Sequence, residues 1–249
     1  MSLPAITRSS IKSDHALITP DTHVKAPLPG WSKTLCIVHI GPALGARFAQ
    51  YDALMEKGGV GDPPRADIQR FVYVRSGEVR LTTAAGKAVL KPGAFAYLPP
   101  GDAHTLVATK PSVLTVFEKI YIPLDGVAMP QRVIGHESDV KPSPFLGDEN
   151  AQLAVLLPTE LSYDMAINLF SFQPGTTLPF VEIHVMEHGL VLLEGAGVYR
   201  LSDSWYPITA GDVIWMAPHC PQWWVASGRT PSRYLYYKDV NRHPLAEML

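Results

Sequence analysis

Glu182-Ile183-His184-Val185-Met186-Glu187-His188-Gly189 is the stretch on which the fold of this chain turns, together with Ala217-Pro218-His219-Cys220-Pro221-Gln222 further along. Glu182, His184 and His188 are separated by even steps, so in extended chain they share one face. Fully extended, Glu182 and His188 would stand ~20 Å apart, whereas donors to one metal each sit ~2 Å from it. If the three serve one ion, the chain must bend sharply around Val185–Glu187, and Glu187 faces the other way. Gln222 adds an amide oxygen after a Gly-Asp turn and an apolar run. The set read from these residues is Glu182, His184, His188 and Gln222. Two imidazoles, a carboxylate and an amide oxygen, with two adjacent positions left open, suit six-coordinate Mn(II) or Fe(II) better than tetrahedral zinc or an all-oxygen calcium site.

Outward from this stretch, 23 prolines and 19 glycines punctuate the chain, and between them lie short runs rich in Val, Ile, Leu, Tyr and Phe. Long helical periods are absent, so an all-β sandwich or barrel is expected. Strands are predicted over Ala16–Thr19, Thr34–Ile40, Arg47–Met55, Ile68–Arg75, Glu78–Thr83, Ala94–Leu98 and Val113–Ile122. In the second half they are predicted over Asp164–Phe172, Leu190–Leu193, Val198–Leu201, Trp205–Ile208, Val213–Met216 and Tyr234–Tyr237. Gly58, Gly59 and Gly61 read as a break, Trp31 as an anchor for a proline-rich arm, and the Pro-rich stretch after Ile122 as a connection.

Composition narrows the function. Hydrophobic residues make up 47% and charged residues 18%, with a net charge of -2. This gives no basic footprint for nucleic acid. No apolar run reaches the ~20 residues that span a bilayer, and Met1–Asp14 lacks a signal-peptide core. Cys36 and Cys220 are distant in sequence and form no CxxC motif, which points to a reducing, cytoplasmic setting without a disulfide framework.

The two halves match at one offset. Gly77 and Gly195, Gly93 and Gly211, Pro100 and Pro218, and His104 and Gln222 are each 118 residues apart, the mark of a duplicated β-unit. Within each half the order of ligand cluster, glycine, glycine and ligand position resembles the two motifs of cupins. These are double-stranded β-helix (jelly-roll) barrels that usually hold a metal through three histidines and a glutamate. A duplicated pair implies a bicupin. The expected organisation is an N-terminal arm (1–44), an N-terminal cupin domain (45–122), a linker (123–150) and a C-terminal cupin domain (151–249). In the first half Pro64, Ala66 and Arg70 stand where the second has Glu182, His184 and His188. That barrel is therefore expected to be degenerate and structural, with anion binding by His104, Arg70 or Asp67 as the alternative.

The second half resembles one family more closely. Glu-x-His-x-x-x-His-Gly is followed by Leu192–Leu201, Trp205–Pro207, Ala210–Pro218, Pro221–Trp223 and Tyr237–Arg242. Together these segments resemble the (S)-ureidoglycine aminohydrolase family, bicupins of ureide and allantoin catabolism. The resemblance implies Mn2+ on Glu182, His184, His188 and Gln222, the last standing where an ordinary cupin has its final histidine. It also implies that Tyr234, Lys238, Glu182 and Gln222 contact a small ureide, that Tyr199 lines the pocket, that Lys238 and Glu182 are catalytic, and that the chain forms a homo-oligomer, an octamer being one form. From the residues alone, Tyr199 and Tyr234 read rather as core or rim aromatics and Lys238 as a surface cation. Another metal-dependent cupin enzyme (a dioxygenase or isomerase) and a non-catalytic, ligand-binding bicupin are the competing functions. His219 is expected at the rim and Cys220 buried and inert.

Overall fold

A computed structural model describes residues 7–243. The outermost residues of the expected arm and C-terminal domain lie outside that range. The described chain is built of β-strands with three short 3-10 turns. It divides into two compact units, one of Val24–Lys141 with Leu156–Asp164, the other of Met1–His23, Pro142–Val155 and Met165–Leu249.

In the first unit Ile68–Ser76 lies between Ala94–Leu98 and Ser112–Ile120, and the sheet continues through Ala49–Gly61, His104–Ala108, Val79–Thr83 and Gly86–Leu90. Its interior is an apolar cluster that includes Tyr51, Val72, Leu81, Leu98 and Val116. In the second unit His188–Glu194 lies between Val213–Met216 and Ser232–Asp239, within an eight-stranded sheet. A three-stranded sheet of Ser204–Thr209, Ala196–Leu201 and Gln222–Ser227 accompanies it. Phe170, Phe172, Tyr199, Trp224 and Tyr234 form its core. Each such fully buried large side chain contributes ~1.5–3 kcal/mol of transfer free energy.

The duplication is visible in the backbone. Gly77 and Gly195 adopt φ of 85° and 78°, and Gly93 and Gly211 adopt 85° and 95°. A Cβ at Gly77 would lie 2.2 Å from the Pro111 carbonyl, and one at Gly195 2.6 Å from the Pro231 carbonyl. The same turn is thus pressed against the same neighbouring strand in both halves, where only glycine fits.

Three expectations need correction. The arm is divided between the units. Ser10–Ile11 and His15–Ile18 extend the sheet of the second unit, where His15–Ile18 pairs with Val213–Met216. Trp31–Ile40 pairs with Ala49–Gly61 in the first. The stretch 123–150 is also more than a connection. Val133–His136 pairs with Ala94–Leu98, and Ser143–Phe145 pairs with Asp148–Val155. Finally, Gly58, Gly59 and Gly61 lie inside a strand. Gly58 has φ of 80° beside a register shift, and a Cβ on Gly61 would lie 2.5 Å from the Trp31 ring. Those glycines mark a bulge and a seat for an indole rather than a break. Trp31 is buried, as an anchor should be.

Candidate metal centre and active site

The bend required between Glu182 and His188 is present. Glu182 and Gln222 exchange backbone hydrogen bonds of 2.8 and 2.9 Å, tying Glu182 to the edge of the three-stranded sheet. Six residues later His188 opens a strand of the eight-stranded sheet, across from Met216 and Lys238. The chain crosses from one sheet to the other, so the site draws on both. Glu187 does face away, and its carboxylate accepts from the Trp215 indole N–H at 2.8 Å.

His184, His188 and Gln222 converge. His184 Nε2 lies 3.1 Å from His188 Nε2 and 2.9 Å from the Gln222 amide nitrogen. A single in-plane lone pair on His184 therefore faces two nitrogens. The Gln222 oxygen accepts from the Tyr199 hydroxyl at 3.0 Å, and Tyr199 in turn accepts from Tyr234. Glu182, Tyr234, Tyr236 and Lys238 line the same cavity of ≈ 160 Å³, with Phe145, Leu153, Phe170, Leu178 and Leu190 as apolar walls.

Electrostatics are set by burial. His188 is held well below the usual imidazole range by desolvation, then by the charges of His184 and Lys238. His184 is lowered by desolvation and by Lys238. Both rings are thus kept neutral, the form that ligates metal. Desolvation raises the Glu182 carboxyl while Lys238 pulls it back. Desolvation lowers the Lys238 ammonium while Glu182 supports it.

The donor set fits a metal ion. Adjacent donors around a six-coordinate ion, each ~2.1 Å from it, lie roughly 3 Å apart, the spacing seen at His184. The Gln222 oxygen and nitrogen are distinguished only by their partners. Tyr199 can accept from the amide as readily as donate to it, so turning the amide offers its oxygen to a cation. Glu182 lines the same cavity, its backbone tied to Gln222 and its carboxylate in the field of Lys238. Elsewhere among the described residues, Asp14, His15 and Cys220 have donor atoms all within 4.8 Å of one another.

Asp14, His15 and Cys220 are already satisfied. His15 meets Asp14 at 2.8 Å and the Tyr206 hydroxyl at 2.9 Å, and Ser202 donates to Asp14. The cluster pins the first strands to their sheet. Cys220 is buried and its thiol is pushed up to about 11 by desolvation. His219 is exposed, with φ of 63° where the first half has Gly101 at 75°.

In the first unit a guanidinium replaces the metal set. Arg70, at the position of His188, reaches Glu118 at 2.6 Å, the Asp62 carbonyl at 2.7 Å and His104 Nε2 at 3.2 Å. His104 donates its other nitrogen to the Asp102 carbonyl. Asp67 pairs with Arg65 instead. Arg70 already has its carboxylate, which leaves little charge for an anion.

Sequence reasoning missed Phe145, Leu153 and Tyr236. Phe145 lies on a strand hidden in the supposed connection, and Leu153 on the strand Asp148–Val155 that begins there. Tyr236 was signalled, since it lies midway between Tyr234 and Lys238 and alternation puts all three on one face.

Comparisons with known proteins agree with this architecture. The Cupin domain family matches residues 52–118 and 168–237. An (S)-ureidoglycine aminohydrolase of Arabidopsis thaliana is 47% identical over 244 residues, 98% of this chain and 81% of that one. This chain belongs to the cupin family, within the (S)-ureidoglycine aminohydrolases. A second member of that aminohydrolase family, from Escherichia coli (strain K12), is 34% identical over 91% of this chain and 88% of its own. The crystal structure of a putative glyoxylate induced protein from Pseudomonas aeruginosa superposes with a TM-score of 0.89 at 31% identity, covering 98% of this chain and 94% of that one. The chain is accordingly an enzyme of an all-β, double-barrel family whose curated members are named as hydrolases.

Proposed function

We propose that this protein hydrolyses (S)-ureidoglycine to (S)-ureidoglycolate and ammonia, in ureide and allantoin catabolism, with Mn2+ at the site of the second unit. The observation that carries the reading is the approach of His184 and His188 nitrogens to 3.1 Å in the cavity that also holds Lys238, in a chain whose relatives bear that name. The metal would be held by His184, His188, Gln222 and Glu182, and when bound it supplies a fixed positive charge that gathers the substrate's donor atoms beside the reacting carbon.

Ureidoglycine is an aminal whose central carbon carries an amine, a ureido nitrogen and a carboxylate. Hydrolysis breaks the bond to the amine and forms one to a water oxygen. Glu182 takes the proton from water at its carboxylate. Lys238 presents its ammonium to the substrate and returns a proton to the departing nitrogen. The tyrosines and apolar walls exclude bulk water and hold one enantiomer against the lysine.

The same reading makes the protein a cytoplasmic homo-oligomer, an octamer being one form, acting on a small ureide. The two buried free cysteines suit a reducing compartment, and among the described residues no helix is long and apolar enough to cross a membrane. The test is direct. Protein loaded with Mn(II) is given ureidoglycine generated in situ from allantoate, and ammonia and ureidoglycolate are followed. No acceleration over spontaneous decay, with metal bound, rejects the reading, and oxygen uptake would assign a dioxygenase instead. Glu182→Ala is expected to lose metal and activity, Lys238→Ala to keep metal and lose activity.

A further inference from the structure

Three tyrosines line the cavity: Tyr199, Tyr234 and Tyr236. Each has one proton to donate. Tyr199 gives its proton to the Gln222 oxygen. Tyr234 gives its proton to Tyr199. Tyr236 stands across from Asn168 on the strand Met165–Phe172, and the Asn168 amide pulls its hydroxyl pKa down against the larger effect of burial; the Asn168 oxygen is buried without a partner, so the Tyr236 proton is left uncommitted inside the cavity. Turning the Gln222 amide reassigns protons between Tyr199 and Tyr234 and leaves Tyr236 untouched, because Tyr236 is outside that chain of hydrogen bonds.

The position of Tyr236 is fixed from two sides. Its ring stacks on the His188 imidazole, with centroids 5.8 Å apart and planes at 21°. Asn168 behind it is buried. Along the strand, Lys238 stands beside His188, and Tyr236 stands one inward step deeper, beside Leu190. Two residues of strand span roughly 7 Å, comparable to the reach of a ureide from its carboxylate to its ureido oxygen. Lys238 supplies the cation for the carboxylate. A neutral donor one step deeper suits a neutral acceptor.

We propose that Tyr236 binds the ureido carbonyl of the substrate through its hydroxyl, with Asn168 as the positioning residue that holds that hydroxyl. The assignment rests on the ureide reading above and names a contact absent from it. It discriminates between ureides and other small carboxylates, since a ligand without the carbonyl leaves the hydroxyl unpaired in a buried site.

The experiment uses the Mn(II)-loaded full chain and two inert ligands: ureidoacetate, which has the carboxylate and ureido group but no leaving amine, and glycolate, which lacks the ureido group. Calorimetry gives both dissociation constants, and manganese titration gives metal affinity. Tyr236→Phe keeps the ring on His188. It is expected to weaken ureidoacetate about ten-fold while glycolate and manganese change by less than about two-fold. Asn168→Leu, which keeps the tyrosine and frees its hydroxyl, is expected to weaken ureidoacetate alone, by a smaller factor. Equal weakening of both ligands, or no change in ureidoacetate, overturns the proposal. The latter is the result if Tyr236 donates to the Asn168 oxygen, which is buried without a partner. Wild-type protein that binds no ureidoacetate overturns the ureide reading as well, so the two failures are distinguishable.

Discussion

Replacing Tyr199 by Phe removes one oxygen atom from the most enclosed part of the site. Tyr199 is 2% exposed, Gln222 3% and Tyr234 4%, so water cannot replace the lost partner. The Gln222 oxygen loses its donor at 3.0 Å, and Tyr234 loses the acceptor for its proton. Each orphaned buried group costs ~1–3 kcal/mol, so the two together cost about 2–6 kcal/mol. The ring remains, and its contact with Trp224 at 5.6 Å between centroids is kept, so no cavity cost is added. At ~2–4 °C per kcal/mol for a chain of this size, the melting temperature falls by roughly 4–24 °C. Tyr234→Phe removes the orphaned donor itself and costs only about 1 kcal/mol. The double variant should therefore be more stable than the sum of the singles by about 1 kcal/mol. Urea unfolding followed by tryptophan fluorescence gives all three values. Tyr199→Phe within about 0.5 kcal/mol of wild type, or strict additivity of the pair, would refute the hydrogen-bond chain. The loss of the brace on Gln222 should also weaken manganese binding about ten-fold or more.

Other consequences are open to measurement. Asp52 is buried, which pushes its carboxyl up, but His39, Arg75 and Thr115 pull it down to a net value below the usual one. Its stabilisation is therefore complete above the unfolded value near ~3.9 and is lost as pH falls through the lower folded value. Asp52→Asn should cost about 1–3 kcal/mol at pH 7, and the gap in urea midpoints should close on acidification below ~4; a gap independent of pH contradicts the assignment. Gly197→Ala places a Cβ 1.9 Å from the Trp224 ring and 2.4 Å from the Val225 carbonyl. Overpacking of ~1–3 kcal/mol should appear as a lower melting temperature, and an unchanged one would show that the tryptophan moves freely. Arg70→Met leaves Glu118 without its cation, at a cost of about 3–5 kcal/mol, yet manganese stoichiometry per chain should stay at the wild-type value; a fall would place a metal in the first unit.

The fold was largely legible because duplication writes its constraints twice. Gly77 and Gly195 are glycines for one steric reason, and their common offset marks the repeat in the sequence itself. The bend between Glu182 and His188 was legible from donor geometry alone. What escaped was information that local pattern does not carry. Pro144 and Gly147 make the Ser143–Phe145 hairpin look like a linker, although Phe145 packs on Phe170 at 4.9 Å between centroids. The glycines of the strand Ala49–Gly61 answer to an indole far away in sequence. The spacing of Glu182 does not show that its carboxylate also answers to Lys238, a charge on another strand. The pairing of His15–Ile18 with Val213–Met216 joins opposite ends of the chain and leaves no trace in either segment.

That last pairing has a consequence for how the protein is made. The strand His15–Ile18 emerges in synthesis well before its partner Val213–Met216, which lies far downstream. Between the two events His15–Ile18 has no place in its own sheet, and a chain stopped short of residue 213 carries it unused. Conversely, a fragment starting at Pro142 has every strand of the site but presents Val213–Met216 as a bare edge, open to a neighbour's edge. Such a fragment is a receptor for its own missing piece. A synthetic peptide spanning residues 7–23 should dock on it as a donor strand, which turns this segment into a separable switch for assembling the catalytic barrel.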